Sequence, residues 1–362
     1  MKNVGLYIHY PFCRKICPYC HFIKTLKREQ TENLYFEALK GEIKLIASLM
    51  LRFDTLYFGG GTPSLINAKL IKIIEWIFKY LDTEFKEISI EVNPEDVSSE
   101  FIMILKKTGV TRVSLGIQQF NEKLLKILGR EHTSSDILEA VEKLKKEKFV
   151  LNYDFIIGIP EENKSNLEES IKFIEKYPPD SVSIYILEGV KGKYWKKFKE
   201  LEGDKKAEHF LMFEKFLESI GILRYEISNF SIKGKESLHN LKYWNYENFI
   251  GIGPSAASLL NNKRWENKSS IYSWAEAIKK GKLPPDKIFK LSPSERAKEA
   301  IMMGLRKVEG IDRKKFKIKF GEFPETFIPD FDEKESFFKI GNYLKVKRES
   351  LLIINSVLEG LF

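Results

Sequence analysis

Cys13, Cys17 and Cys20 are the three cysteines of the chain, and they fall within eight residues as Cys13-x-x-x-Cys17-x-x-Cys20. An odd, tightly clustered set argues against a disulfide framework and for a metal site. Thiolates are soft ligands, suited to zinc or to an iron–sulfur cluster. Structural zinc takes four protein ligands, and His9 or His21 could complete a three-cysteine, one-histidine set. A four-iron cluster on three cysteines instead leaves one iron open, and an open iron can chelate a small ligand. The first arrangement is structural, the second reactive.

Further polar residues stand at the ends of β-rich runs. Gly59-Gly60-Gly61-Thr62-Pro63 follows one such run, where glycines make a tight turn or let the backbone approach a ligand. Glu91 sits in Ser-Ile-Glu-Val-Asn-Pro, Gln118 ends another run, and Arg130 follows one helical segment later. Asp154 lies in Asn-Tyr-Asp-Phe-Ile-Ile-Gly. A carboxylate inside an apolar strand is costly unless partnered. Taken singly, Glu91 and Asp154 read as structural, each paired with an internal lysine or arginine.

The elements that position these residues alternate. Strands are expected over Gly5–His9, Thr55–Phe58, Glu87–Val92, Arg112–Gly116, Leu151–Ile157 and Ser181–Leu187, and helices over Glu32–Leu49, Ala68–Tyr80 and Ser134–Lys145. Such alternation implies a parallel sheet with right-handed crossovers, and six units fit an incomplete barrel better than a closed eight-unit one. The fold class is α/β: a partial (β/α)6 TIM-like barrel with a small C-terminal α+β domain, helical or winged-helix-like. Barrel active sites lie at the C-terminal ends of the strands, where the polar residues above fall. Later in the chain a helix is expected over Lys205–Ile220, a strand over Arg224–Ile232, a loop over His239–Phe249, a turn at Gly251–Pro254, and a linker at Pro284-Pro285. Two helices, a strand pair near Tyr343–Lys347 and a final apolar stretch complete it. The expected division is residues 1–230 as the barrel, 231–285 as a connecting segment and 286–362 as the C-terminal domain.

The run Tyr7-x-His9-x-Pro11-Phe12-Cys13-x-x-x-Cys17-x-Tyr19-Cys20 resembles the start of the radical S-adenosylmethionine superfamily, in particular its coproporphyrinogen-III-oxidase-like branch. The resemblance implies a [4Fe–4S] cluster on Cys13, Cys17 and Cys20 whose open iron binds the amino and carboxylate groups of S-adenosylmethionine. In that superfamily an electron from the cluster cleaves the sulfonium to a 5′-deoxyadenosyl radical. Tyr7, Gly60, Gly61, Thr62, Glu91, Gln118, Arg130 and Asp154 match adenosylmethionine-binding positions, and Tyr19 matches an aromatic of that site. Ile186 and Ala257 match more loosely. Together they describe a pocket with carboxylates for the ligand's hydroxyl and amino groups and Arg130 for its carboxylate.

Two departures separate the chain from the oxidases. They carry a further cysteine two positions after the third ligand, where Phe22 stands here, and an N-terminal extension, where this chain enters its first strand at once. Both differences match a shorter heme-chaperone group within the branch. His239-Asn240-Leu241-Lys242-Tyr243-Trp244 matches the heme-binding signature of that group. Histidine is a common axial ligand of heme iron, and Tyr and Trp offer flat apolar surface. Without the resemblance, the same residues read as a hydrogen-bonded loop histidine with Tyr243 and Trp244 in the core. Met302–Arg306 and Gly310–Asp312 also resemble the C-terminal part of the family. The resemblance thus implies heme as a third ligand, bound at His239 and delivered to apo-hemoproteins. The alternatives are oxygen-independent decarboxylation of coproporphyrinogen III, radical opening or methylation of heme, and nucleic-acid binding by the C-terminal tail. The tail lacks an aromatic-and-basic recognition stripe, so nucleic acid is not expected.

Composition frames these readings. The 362 residues are 43% hydrophobic and 31% charged, the balance of a globular chain with a sizeable core. The net charge of +9 comes largely from scattered lysines, with Lys191–Lys199 the best candidate for a local patch. It reads as a solvated surface, with a membrane surface or a small polyacid as anionic alternatives. No apolar run approaches the ~18–20 residues of a bilayer span. The N-terminal stretch is broken by His9 and Pro11 and lacks a signal-peptide pattern, so a cytoplasmic location is expected.

Overall fold

The computed structural model describes residues 3–189, 192–331, 335–359 and 361–362. Its first strand, β1 (Asn3–Tyr10), buries Val4, Leu6, Ile8 and Tyr10 completely. The alternate residues Gly5, Tyr7 and His9 take the opposite face, as the two-residue strand period requires. Five more strands follow, each parallel to the one before: β2 (Arg52–Gly60), β3 (Asp82–Val92), β4 (Arg112–Gln118), β5 (Val150–Ile157) and β6 (Ser181–Ile186). Between them run the crossover helices, α1 (Glu29–Ala47), α2 (Lys69–Tyr80), α3 (Ser99–Lys107), α4 (Glu122–Ile127), α5 (Ser134–Leu144) and α6 (Lys164–Lys176). Helices α3 to α6 start where side chains satisfy their free N–H groups, as in the capping boxes Thr133/Asp136 and Asn163/Asn166. In every barrel strand one set of alternating residues is apolar and packs under the helices: Ile88, Ile90 and Val92 in β3, Leu151, Tyr153, Phe155 and Ile157 in β5. The other set is largely polar and faces the barrel axis. This is the expected α/β partial barrel.

Beyond β6 the structure departs from the sequence expectation in several places. Helix α7 (Gly203–Ser219) forms as expected. The single strand expected over Arg224–Ile232 is instead a short hairpin, β7 (Leu223–Arg224) and β8 (Asn229–Ser231), because the chain turns back at Glu226–Ser228 and pairs antiparallel with itself and with β6. The expected loop over His239–Phe249 holds helix α8 (Leu238–Trp244), capped by Ser237, and then the first residue of β9 (Phe249–Ile252). The expected turn at Gly251–Pro254 begins inside that strand, and the bend falls at Gly253, whose φ of 98° suits glycine. Strand β9 runs parallel to β1 on the edge that β2 leaves free. It continues through β10 (Ala257–Leu260), β11 (Lys263–Asn267), helix α9 (Ile271–Lys279) and β12 (Pro285–Lys290). The Pro284-Pro285 pair is therefore not a linker: Pro285 opens the outermost strand, where a missing N–H costs no ladder bond on the solvent side. All twelve strands form one sheet in the order β12-β11-β10-β9-β1-β2-β3-β4-β5-β6-β8-β7.

The C-terminal part contains α10 (Pro293–Gly304), β13 (Ile311–Asp312), α11 (Arg313–Phe320), the hairpin β14 (Phe337–Ile340) and β15 (Tyr343–Val346), and α12 (Ile354–Glu359). It has its own core, including Ile301, Leu305, Phe316, Leu344, Leu351 and Leu358, to which Tyr246 and Leu259 also belong. Helices beside a three-stranded sheet match the winged-helix-like expectation. In the lysine-rich patch Lys191 lies outside the described residues. The rest is anchored by its aromatics: Trp195 is buried, and Tyr194 donates to the carbonyl of Ile127 at 2.8 Å.

Candidate functional site

The cysteine loop leaves the C-terminal end of β1. It is pinned by a two-residue parallel ladder between Phe12–Cys13 and Thr25–Leu26, and by His9, whose Nε2 bonds the carbonyl of Ile23 at 2.8 Å while Tyr7 Oη meets its Nδ1 at 3.0 Å. Both ring nitrogens of His9 are thus engaged, which removes it as a fourth ligand for zinc. Two glycines let the β2 end pass beneath the loop. Gly60 has a φ of 118°, and a Cβ there would lie 2.8 Å from the His9 ring. A Cβ on Gly61 would lie 2.7 Å from the carbonyl oxygen of Phe12 and 3.0 Å from the Cys13 sulfur. Cys13 is buried, which raises its thiol pKa against the opposing hydrogen bond from Thr62.

All three cysteines line one cavity of about 650 Å³ that enters the barrel from this end. The strand register builds its walls. Glu91 stands beside Ser114, Ser114 beside Asn152, and Asp154 beside Ser183. Ser114 donates to Asp154 at 2.7 Å, and the Asn152 amide donates to Asp154 at 2.8 Å and to Ser183 at 2.8 Å. Glu91 accepts from Tyr57 at 3.0 Å and from the N–H of Gly60 at 3.2 Å. Burial, aided by the charge of Asp154, raises Glu91 to about 7. Burial raises Asp154 to about 6 against its three hydrogen-bond donors. The cavity therefore holds two carboxylates that each keep a proton more readily than usual, and a cation there would favour the ionised form of both. At the mouth Arg130 donates to Asn93 at 2.7 Å and reaches within 4.0 Å of the Cys17 sulfur. Gln118, at the end of β4, adopts a left-handed φ of 63°, a strained placement for a non-glycine residue at a cavity wall.

Of the residues singled out in the sequence, Cys13, Cys17, Cys20, Tyr19, Gly60, Gly61, Thr62, Glu91, Gln118, Arg130 and Asp154 line this cavity, as does Ile186. Tyr7 does not: its hydroxyl is spent on His9, and it faces a second cavity, with Ala257 on the same wall. Tyr57, Ser114, Asn152, Ser183 and Tyr185 were missed. Their signal was the two-residue polar period within otherwise apolar strands.

His239, expected from the resemblance to bind heme, lies in a closed setting. It is fully buried, beside Gly5 and Thr55 near the starts of β1 and β2, while its neighbours Ser237 and Asn240 line the barrel cavity. Glu87, projecting from β3, accepts the N–H of Leu238 at 3.1 Å, the N–H of His239 at 3.0 Å and the hydroxyl of Ser237 at 3.2 Å, while Arg112 holds its other side at 3.0 Å. Helix α8 is thereby plugged into the barrel floor. There His239 Nδ1 meets Thr55 Oγ1 at 2.9 Å and Nε2 meets Tyr243 Oη at 2.8 Å. Burial and the Lys242 ammonium push its pKa down to about 3. In this arrangement His239 offers no free nitrogen to iron. The signature segment closes the barrel, and only Tyr243 reaches the second cavity, of about 390 Å³, which Tyr7, His21, Phe22 and Phe249 also line.

Comparison with known proteins agrees with this architecture. The radical SAM superfamily matches residues 7–174 and the HemN C-terminal domain matches residues 291–330. The structure superimposes on coproporphyrinogen III oxidase from Escherichia coli with a TM-score of 0.86 over 99% of this chain and 89% of that one, at 19% identity, a likeness of fold. The heme chaperone HemW of Lactococcus lactis is 35% identical over 88% of this chain and 86% of its own length. The heme chaperone HemW of Bacillus subtilis is 32% identical over 89% and 88%. Thiol loop, polar barrel cavity and plugged floor thus lie in a chain that belongs to the HemW heme-chaperone family of radical S-adenosylmethionine proteins.

Proposed function

We propose that this protein binds heme and delivers it to apo-hemoproteins, with a [4Fe–4S] cluster and S-adenosylmethionine at the barrel mouth supporting that transfer. The observation that carries the reading is the likeness to heme chaperones over nearly nine-tenths of both chains. Phe22 supports it. It stands where the oxidases place their further cysteine, and it is 66% exposed, an apolar side chain offered to solvent beside the thiol loop.

The residues present fit the cluster. Three thiolates from one short loop line one cavity mouth, and thiolates are the ligands that a cubane cluster takes. When bound, the cluster would supply an electron and one open iron for an amino-acid chelate. The chain's own residues do the rest. Glu91 and Asp154 receive a cationic ligand, Arg130 lies where a carboxylate can meet it, and Gly60 and Gly61 let the ligand approach the backbone. Among the described residues no helix is long and apolar enough to cross a membrane.

The test is anaerobic. Heme-loaded protein is mixed with an apo-hemoprotein, and separately the protein receives coproporphyrinogen III, S-adenosylmethionine and a reductant. Heme transfer without turnover is expected. Steady formation of protoporphyrinogen would replace the chaperone reading with oxidative decarboxylation.

A further inference from the structure

The chain has five histidines, and the structure leaves one of them free. His9 and His239 have both ring nitrogens engaged. His132 is buried, with its Nδ1 facing Arg130 and Glu95 and its Nε2 on the carbonyl of Ile117. His209 is buried against Glu162 at 2.6 Å. His21 alone is exposed, and no hydrogen bond or ion pair to it exists among the described residues. It follows the last cysteine and lies on the wall shared by the barrel cavity and the second cavity.

Its surroundings suit a flat apolar ring. Phe22 and Ile23 follow it, 66% and 47% exposed, and the aromatic rings of Tyr7, Tyr243 and Phe249 line the same second cavity. The cavity, about 390 Å³, is within the range of small-molecule sites and open to solvent on the side of Phe22. Glu266 also lines the second cavity, whereas the neighbouring barrel cavity is lined by Lys24. Its ammonium bonds only the carbonyl oxygens of Cys20, at 2.5 Å, and Phe22, at 3.0 Å, and no carboxylate among the described residues pairs with it.

We propose that heme docks in this second cavity beside the thiol loop, its ring against Phe22, Tyr7, Tyr243 and Phe249, with His21 as the iron ligand. This rests on the heme-carrying reading above and replaces His239 with His21 as the ligand. Imidazole is an ordinary axial ligand of heme iron, and the exposed ring needs no native bond broken to serve. Placement beside the last cysteine also brings the cargo to the same loop that would hold the cluster.

Hemin is titrated into the reconstituted full-length protein, and absorption and electron paramagnetic resonance report the iron ligand. Iron and sulfide content are measured on every variant. Wild type is expected to give a histidine-ligated spectrum. His21→Ala is expected to lose it and to bind hemin about tenfold or more weaker. Added imidazole should restore the spectrum, which a purely structural role of His21 would not allow, and His21→Tyr should move it to a phenolate-ligated form. His239→Gln should leave the spectrum unchanged. A histidine-ligated spectrum and undiminished affinity in His21→Ala overturn the assignment while heme carriage stands. Failure of wild type to bind hemin overturns both.

Discussion

The Glu87 carboxylate accepts the backbone N–H of His239 at 3.0 Å across the floor of the barrel. One side chain from the third strand thus fixes the start of a helix some 150 residues later in sequence, and with it the burial of the histidine that sequence similarity marks as a heme ligand. The same carboxylate pairs with Arg112, which in turn donates to Ser181 at 3.0 Å. The floor is a connected polar network, and such networks are costly to break in part.

Glu87→Ala should therefore destabilise the fold by ~3–5 kcal/mol, because Arg112 is left buried without its partner and α8 loses three bonds at its start. Urea unfolding midpoints measure this. A midpoint equal to that of the wild type would refute the plug.

His239→Ala should cost stability and leave heme binding intact. Removing the ring strands the Thr55 and Tyr243 hydroxyls at the floor, a loss of about 1–3 kcal/mol. His239→Gln, which keeps polar atoms there, should recover part of it. Thermal unfolding of both variants, beside hemin titration, separates the structural effect from a ligand effect.

Gly60→Ala should impair the site more than the fold. Its φ of 118° is strained for any side chain, and the new methyl meets the His9 ring and the carbonyl of Tyr10. The cost is about 1–3 kcal/mol, concentrated where His9 supports the thiol loop. Reduced iron and sulfide after reconstitution, with near-native circular dichroism, is the expected result. Cys17→Ala should abolish iron loading altogether.

The paired carboxylates give a pH signature. Both Glu91, raised to about 7, and Asp154, raised to about 6, hold protons in the folded protein that the unfolded chain has already released. Their contribution to stability is thus fully present below the ordinary carboxylate pKa of about 4 and is lost as pH rises through about 6 to 7. A cationic ligand prefers both ionised, so S-adenosylmethionine should bind more tightly as pH rises through the same window and should release protons below it. Calorimetry near about pH 5.5 and about pH 8, in buffers of different ionisation enthalpy, reads both quantities. Equal affinity at the two values with no proton release would contradict the cavity assignment. Asp154→Asn should flatten the profile.

By itself the sequence determined the parallel barrel, because buried parallel strands must be apolar on the helix-facing side and the helices must carry matching apolar stripes. It also marked the thiol loop, since three cysteines in eight residues can only be neighbours. Glu91, Gln118 and Asp154 stood out because each interrupts or ends a strand with a polar group that is expensive to bury, and the family resemblance gave them, with Tyr19 and Arg130, a place in one site. What it could not show was which polar residues share a wall. Ser114, Asn152 and Ser183 look like ordinary strand residues, and only the register sets them around Asp154. Nor could it distinguish His239 from His21. Both are single histidines near aromatics in the sequence, and the difference is one of solvent exposure. That was settled by a long-range contact, Glu87 drawing α8 into the barrel, while His21 remained on a loop whose neighbours leave its ring in the open. Short-range pattern reports local propensity and burial. Which nitrogen is free depends on contacts between distant segments, and those exist only once the barrel has closed around its floor.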